Sequence, residues 1–150
     1  MNKVLKSRIQ KVTASYFDSS TLSFIEKTFK AEEIAIGMIH NCVTIESRKN
    51  MPGYKELQLS LVTEGMKDPI IVINNDTNNW NRAIQGVKSE YINNESRRYK
   101  NCLALTGNSR LACAEEYKYD YIDCIVVPNF VFMHSVQLKL QNGVIKHELY

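Results

Sequence analysis

The residues best suited to chemistry in this sequence form a short turn, Thr106-Gly107-Asn108-Ser109, which is followed directly by Arg110. A glycine before a helix lets the backbone bend sharply, and the first N–H groups of that helix then point outward as donors for an anion. Asn108 or Ser109 can cap the helix, and Arg110 adds a positive charge suited to a phosphate or carboxylate. The turn therefore predicts a phosphate site, although such residues also serve as ordinary punctuation between a strand and a helix.

The segments around this turn have the composition of the elements that would position it. Leu103 to Leu105 is a short apolar run that predicts a strand, and the residues from Arg110 to Lys118 favour a helix. A second apolar run, Tyr121 to Val127, predicts another strand. The order is therefore strand, tight turn, helix, strand.

A second turn lies upstream, where Gly65 and Lys67 follow a predicted helix and precede a strand that begins at Pro69. If the two turns come together, Lys67 or Arg48, which lies in a predicted polar loop, would close the opposite side of the anion site. The predicted site therefore lies between the turns. Its residues are Arg48, Gly65, Lys67, Thr106, Gly107, Asn108, Ser109 and Arg110.

Taken in order, these stretches resemble the ParB/sulfiredoxin-like domain, also described as the ParB N-terminal or ParB-like nuclease domain. Members of that family carry a helix, a glycine, a proline-led apolar strand and a later Gly-x-x-Arg turn that opens a helix. The segment Glu33 to Ile39, with Arg48 downstream, is similar to the family's entry strand and the arginine after it, so the resemblance covers roughly residues 33–127. It implies a compact α+β fold, a small mixed sheet packed by helices, and a nucleotide ligand such as CTP or ATP with magnesium.

The chain departs from the family pattern inside the turn itself. Asn108 and Ser109 replace the acid and the arginine that ParB proteins place around the nucleotide and its metal, so hydrolysis is not expected. Sulfiredoxins carry a reactive cysteine and a histidine at these positions, so sulfinic acid reduction is not expected either. A nuclease needs clustered carboxylates for a metal ion. The candidates are Glu115, Glu116, Asp120 and Asp123.

Two segments lie outside the family pattern. Residues 1–32 are predicted to be an N-terminal extension of two amphipathic helices, the first over residues 3–16. Residues 33–150 are predicted to be the ParB/sulfiredoxin-like domain, with an insertion at about 74–101. The first helix is predicted from the helical spacing of Leu5, Ile9, Val12 and Tyr16. The second is predicted from the spacing of Leu22, Ile25 and Phe29.

Both segments are predicted contacts for DNA. Residues 1–30 carry six Lys or Arg residues against Asp18 and Glu26, which leaves a net charge of +4. The insertion interleaves aromatic and basic residues, a composition that suits single strands because rings stack on bases while cations meet phosphates. Ordinary packing is the alternative, since Trp80, Ile84 and Val87 have helical spacing. The N-terminal helices are also a predicted contact for a homo-oligomer.

Composition narrows the class of protein. At 150 residues, 44% apolar and 23% charged, the chain suits one ordered domain. No apolar run approaches the roughly 20 residues that span a bilayer, and the N-terminus lacks the core of a signal peptide. The prediction is a cytoplasmic protein without membrane contact, in the host cytoplasm if the source is a virus. Four cysteines without a C-x-x-C pair predict free thiols and no metal site.

Three functions stay open at this point. The first is binding of a nucleotide or another phosphate ligand at the Gly-x-x-Arg turn, in a DNA-related role. The second is a non-catalytic interaction or structural protein, for example of a phage, that retains the fold. The third is a DNA nuclease. The sequence leaves open whether the protein is an enzyme.

Overall fold

A mixed β-sheet covered on both faces is the centre of the computed structural model, which describes the backbone of residues 3–149 and the side chains of residues 3–141. In chain order the strands are β1 (Val4–Leu5), β2 (Lys11–Asp18), β3 (Ser23–Lys30), β4 (Glu32–Ala35), β5 (Ile39–Asn41), β6 (Ile70–Asn74), β7 (Cys102–Thr106) and β8 (Tyr121–Val127). The α-helices are α1 (Ile45–Lys49), α2 (Tyr54–Glu64), α3 (Thr77–Ala83), α4 (Asn108–Glu116) and α5 (Phe130–Leu149). Short 3-10 helices occupy Ile36–Met38, Ser89–Tyr91 and Arg97–Tyr99.

The sheet has the strand order β1-β8-β6-β7-β5, and β4 also pairs with β8. β8 runs parallel to β1 and β6 and antiparallel to β4. β7 runs antiparallel to β6 and parallel to β5. The predicted α+β class is therefore confirmed.

Alternate residues of β6 send their side chains to opposite faces of the sheet, and both faces are buried. Ile70 packs on the face covered by α2 and α4, together with Leu61 and Leu111. Ile71 packs on the other face with Trp80 of α3 and Phe132 of α5. A continuous β-branched run is typical of such a doubly covered strand, as the sequence predicts.

Residues 3–30 do not form two helices, so this prediction was wrong. β1 joins the central sheet, and β2 and β3 form an antiparallel hairpin whose inner face packs against α5. The apolar residues of β2 fit two periods at once. Val12 and Tyr16 match a helical stripe, but Val12, Ala14 and Tyr16 also alternate with exposed residues as a strand requires. The Ser, Thr and aromatic content of the segment favours the strand.

Two helices, α1 and α5, also differ from the sequence prediction. Arg48 lies in α1 and not in the polar loop predicted over residues 47–53. The helix begins there because the Thr44 Oγ1 atom accepts a hydrogen bond from the Ser47 N–H at 3.2 Å. The sequence Gln141-Asn142-Gly143 predicts the end of the preceding helix or strand, but this prediction was wrong, since α5 continues to Leu149. Tyr150 lies outside the described residues. No helix in residues 3–149 has both the length and the apolar character that a membrane span needs.

The insertion at residues 74–101 is folded onto the core. Trp80 is buried, its ring lies 5.5 Å from that of His40, and the Arg97 guanidinium lies over it at 4.7 Å. The packing interpretation of Trp80 is thus confirmed. A buried ring has no free face for a nucleobase, so Trp80 does not serve the DNA contact predicted for this insertion.

Candidate functional site

The sharp turn predicted at Gly107 connects β7 directly to α4. Gly107 has a φ of 78°, in the left-handed region that favours glycine. A Cβ atom at this position would lie 2.3 Å from the Ile70 Cγ2 atom. Both the backbone angle and the lack of space therefore require glycine here.

The first turn of α4 has donors without partners in the helix. Gly107 is the N-cap, so the predicted caps Asn108 and Ser109 were wrong, and no side chain caps the helix. The Leu111 N–H donates to the Gly107 carbonyl at 2.8 Å, which starts the helical ladder. The amides of Asn108, Ser109 and Arg110 precede that bond and are the donors a helix start offers to an anion.

An open cavity of about 400 Å³ lies in front of this turn and is called the anion pocket below. Arg48 of α1, Arg110 of α4 and Gln137 of α5 surround it. Among the described residues that line it, two carry guanidinium groups and none carries a carboxylate. Its lining residues are Arg48, Leu57, Leu105, Thr106, Gly107, Asn108, Ser109, Arg110 and Gln137.

Arg110 extends from the anion pocket to the second predicted turn. Its guanidinium donates to the Asp68 carbonyl oxygen, and its Nη2 atom lies where a Cβ of Gly107 would come within 2.9 Å. The Asp68 carboxyl is partly desolvated, and its Oδ1 atom accepts no hydrogen bond from the described residues. Burial raises the pKa of this carboxyl, although Arg110, Lys67 and Arg8 act in the opposite direction.

Gly65 and Lys67 line a separate cavity of about 230 Å³ rather than the anion pocket itself. Arg110 and Leu57 border both cavities, so the two are neighbours. The sequence predicted one site between two turns. The structure places Arg48 and residues 106–110 around one cavity and the other turn around the next, with Arg110 shared between them.

A third cavity, of about 350 Å³, adjoins the anion pocket through Leu105 and Asn108. It is called the adjoining cavity below. Phe130 and Met133 supply apolar surface, while the polar side chains of Arg82, Gln85 and His134 also line it. The Asn108 Oδ1 atom is buried and accepts no hydrogen bond from the described residues.

No known family model and no curated protein matches this chain. Its function therefore has to be argued from the residues that meet at the start of α4. Those residues supply outward amides, two guanidinium groups and an adjoining cavity with both polar and apolar walls. Together they favour an anionic ligand.

Cys42 lies in the wall of the adjoining cavity but is not a nucleophile at neutral pH. Its Sγ atom donates to the Ala104 carbonyl at 3.7 Å, and burial raises its pKa to about 12. A thiol with that pKa is almost fully protonated, and only the thiolate attacks. All four cysteines are buried and unpaired, as the sequence predicts.

Asn41 and Asp68 are site residues that sequence reasoning missed. The Asn41 side-chain amide donates to the Asn108 carbonyl at 2.9 Å and thereby fixes the start of α4. Asp68 provides the carbonyl that holds Arg110. The available signals were an asparagine at the end of one strand and an acid before the proline that precedes another. Neither signal reveals which residue is contacted.

Three of the four carboxylates considered for a nuclease accept hydrogen bonds within the fold. The Asp123 Oδ2 atom accepts hydrogen bonds from the Ser7 N–H at 2.8 Å and from the Gln10 side chain at 2.7 Å. Asp120 accepts from the Lys3 N–H, and Glu116 accepts from the Tyr54 hydroxyl. Within the described residues, no group of three His, Cys, Asp or Glu side chains has the arrangement of a metal site.

Proposed function

We propose that the protein is a divergent ParB/sulfiredoxin-like domain that binds a nucleotide, or another phosphate compound, in the anion pocket and has a DNA-related role. One observation carries this proposal: Arg48 and Arg110 flank the uncapped start of α4 after Gly107. Phosphate oxygens are bound by outward amides and by guanidinium groups, and both are present here. The described lining offers no carboxylate that would repel them.

The adjoining cavity favours a nucleotide over a simple phosphate. Its volume of about 350 Å³ falls within the range of small-molecule pockets. Phe130 and Met133 offer apolar surface to the faces of a nucleobase. The phosphates would then lie near Arg48 and Arg110, with the base beyond Asn108.

CTP and ATP with magnesium are the ligands to test first. Magnesium keeps several waters and binds readily through nucleotide phosphates with few protein ligands. The chain's own residues would bind and orient the nucleotide, and the proposal assigns them no catalytic step.

Isothermal titration calorimetry with CTP, ATP, ADP and tripolyphosphate, with and without magnesium, tests the proposal. The wild type should bind at least one nucleotide. Arg48→Ala should weaken that binding about tenfold or more, because hydrogen bonds to charged groups contribute roughly 1.5–3 kcal/mol. Arg98→Ala, which removes an exposed arginine that does not line the pocket, should bind like the wild type. Failure of all four compounds to bind at millimolar concentration would contradict the proposal.

Met133→Trp tests whether the base enters the adjoining cavity. The larger side chain should fill that cavity without reaching the anion pocket, which Met133 does not line. Nucleotide affinity should fall while tripolyphosphate affinity stays the same. An equal loss for both ligands would show that only the phosphates are recognised.

The interaction-protein alternative is also favoured by one observation, an exposed apolar hairpin tip made by Phe17, Leu22 and Phe24. The nuclease alternative has no comparable support. The carboxylates Asp120, Asp123 and Glu116 are hydrogen-bonded within the fold.

A further inference from the structure

The β2–β3 hairpin presents one face to the core and the opposite face to solvent. The Oγ1 atoms of Thr13 and Thr28 lie 2.8 Å apart, which places both side chains on one exposed face. Because side chains alternate along a strand, every second cross-strand pair shares that face, here called the outer face. Its pairs are Lys11 with Lys30, Thr13 with Thr28, Ser15 with Glu26, and Phe17 with Phe24.

The tip of the outer face is aromatic and exposed. Phe17 and Phe24 are 52% and 76% exposed, and their ring centroids lie 5.3 Å apart in an edge-to-face arrangement. Leu22, in the turn beside them, is 77% exposed. Single exposed apolar residues are common, but a cluster of three at the end of a hairpin marks a surface that contacts a partner.

The base of the outer face is cationic. Lys11 and Lys30 are exposed and directly opposite each other, an arrangement that is unfavourable unless an anion lies between them. Lys139 of α5 lies beside β2, where it lines a groove with Thr13, Ser15 and Glu26. Glu26 is the acidic residue on this face, so lysines outnumber acids along it.

We propose that the outer face of the hairpin binds single-stranded nucleic acid. Phosphates would lie along Lys11 and Lys30, and unstacked bases would contact the rings of Phe17 and Phe24. The Lys11–Lys30 pair and the Phe17–Phe24 pair are six residues apart along β2, which is about 20 Å in a strand. The partner must therefore be an extended polyanion with accessible aromatic rings. A duplex hides its base faces. Binding to a lipid surface would need the cations within roughly 10 Å of the inserted aromatic side chains, which is less than the separation of the two pairs.

Fluorescence anisotropy with labelled oligonucleotides of about 20 nucleotides tests this proposal, with separate arms for DNA, RNA and duplex DNA. Phe17→Ala with Phe24→Ala should weaken single-strand binding about tenfold or more at every salt concentration. Lys11→Gln with Lys30→Gln should make the plot of log affinity against log salt less steep by about 1.4. DNA bound in preference to RNA, or the reverse, identifies the type of strand.

Two matched controls lie elsewhere on the surface. Tyr117→Ala removes an aromatic side chain that is 40% exposed, and Lys55→Gln removes an exposed lysine of α2. Both should bind like the wild type. Thermal unfolding should show that all variants remain folded.

The proposal is overturned if the wild type does not bind single strands at about 50 mM salt, where electrostatic contacts are strong. It is also overturned if both hairpin variants behave like the controls. Equal or tighter binding to duplex DNA or to anionic vesicles would assign the surface to a different partner.

Discussion

Gly107 determines the geometry of the site at the scale of single residues. Gly107→Ala would add a side chain at a positive φ and place its Cβ 2.3 Å from the Ile70 Cγ2 atom. We expect a loss of about 2–4 kcal/mol in the free energy of unfolding, measured by urea denaturation. Gly37→Ala is the control, because its Cβ would meet no atom within 4 Å. A loss at Gly37 as large as that at Gly107 would contradict this account.

His40 gives the fold a pH dependence. Its Nε2 atom donates to the Asn93 carbonyl at 2.7 Å, and burial holds its pKa below the ordinary value near 6.5. Protonation therefore favours the unfolded chain. The stabilising contribution is complete above pH 6.5 and is lost as the pH falls toward the lowered pKa. Urea unfolding at neutral and mildly acidic pH should show this loss, and His40→Gln should reduce it.

A matched substitution tests that assignment. His134 is exposed, so His134→Gln should retain the acid-dependent loss of stability. If His40→Gln and His134→Gln leave the same pH dependence, the buried ring is not its source.

At the scale of elements, the local sequence pattern was sufficient to predict a helix or a strand where the apolar residues fit only one periodicity. Three elements match the sequence prediction, because each has a clear stop or start signal and a single favoured periodicity. They are the helix before Gly65 (Tyr54–Glu64), the strand after Pro69 (Ile70–Asn74) and the strand Tyr121–Val127. The hairpin shows where this reasoning fails. Its apolar residues fit both a helix and a strand, and packing against α5 decides between them.

The turn of the site could be predicted, but its surroundings could not. A glycine followed three residues later by arginine indicates an anion-binding helix start, and the structure has that turn. The contact between Asn41 and the Asn108 carbonyl joins residues 67 positions apart. The separation of Gly65 and Lys67 into a neighbouring cavity likewise depends on how α2 and α4 pack.

At the scale of the whole molecule, the two proposed surfaces lie on different elements. The anion pocket is bordered by α1, α4 and α5, through Arg48, Arg110 and Gln137. The outer face belongs to β2 and β3, whose inner face packs against α5. A nucleotide and a single-stranded oligonucleotide should therefore slow amide hydrogen exchange in two different parts of the backbone.

Amide hydrogen exchange followed by mass spectrometry can separate these effects. A saturating nucleotide should slow exchange at residues 108–110 and in α1, because the ligand engages the uncapped amides and Arg48. A single-stranded oligonucleotide should instead slow exchange in β2 and β3. Arg48→Ala should remove the first pattern and retain the second. Protection of the hairpin by nucleotide alone would contradict the division of roles, because it would place both ligands on one surface.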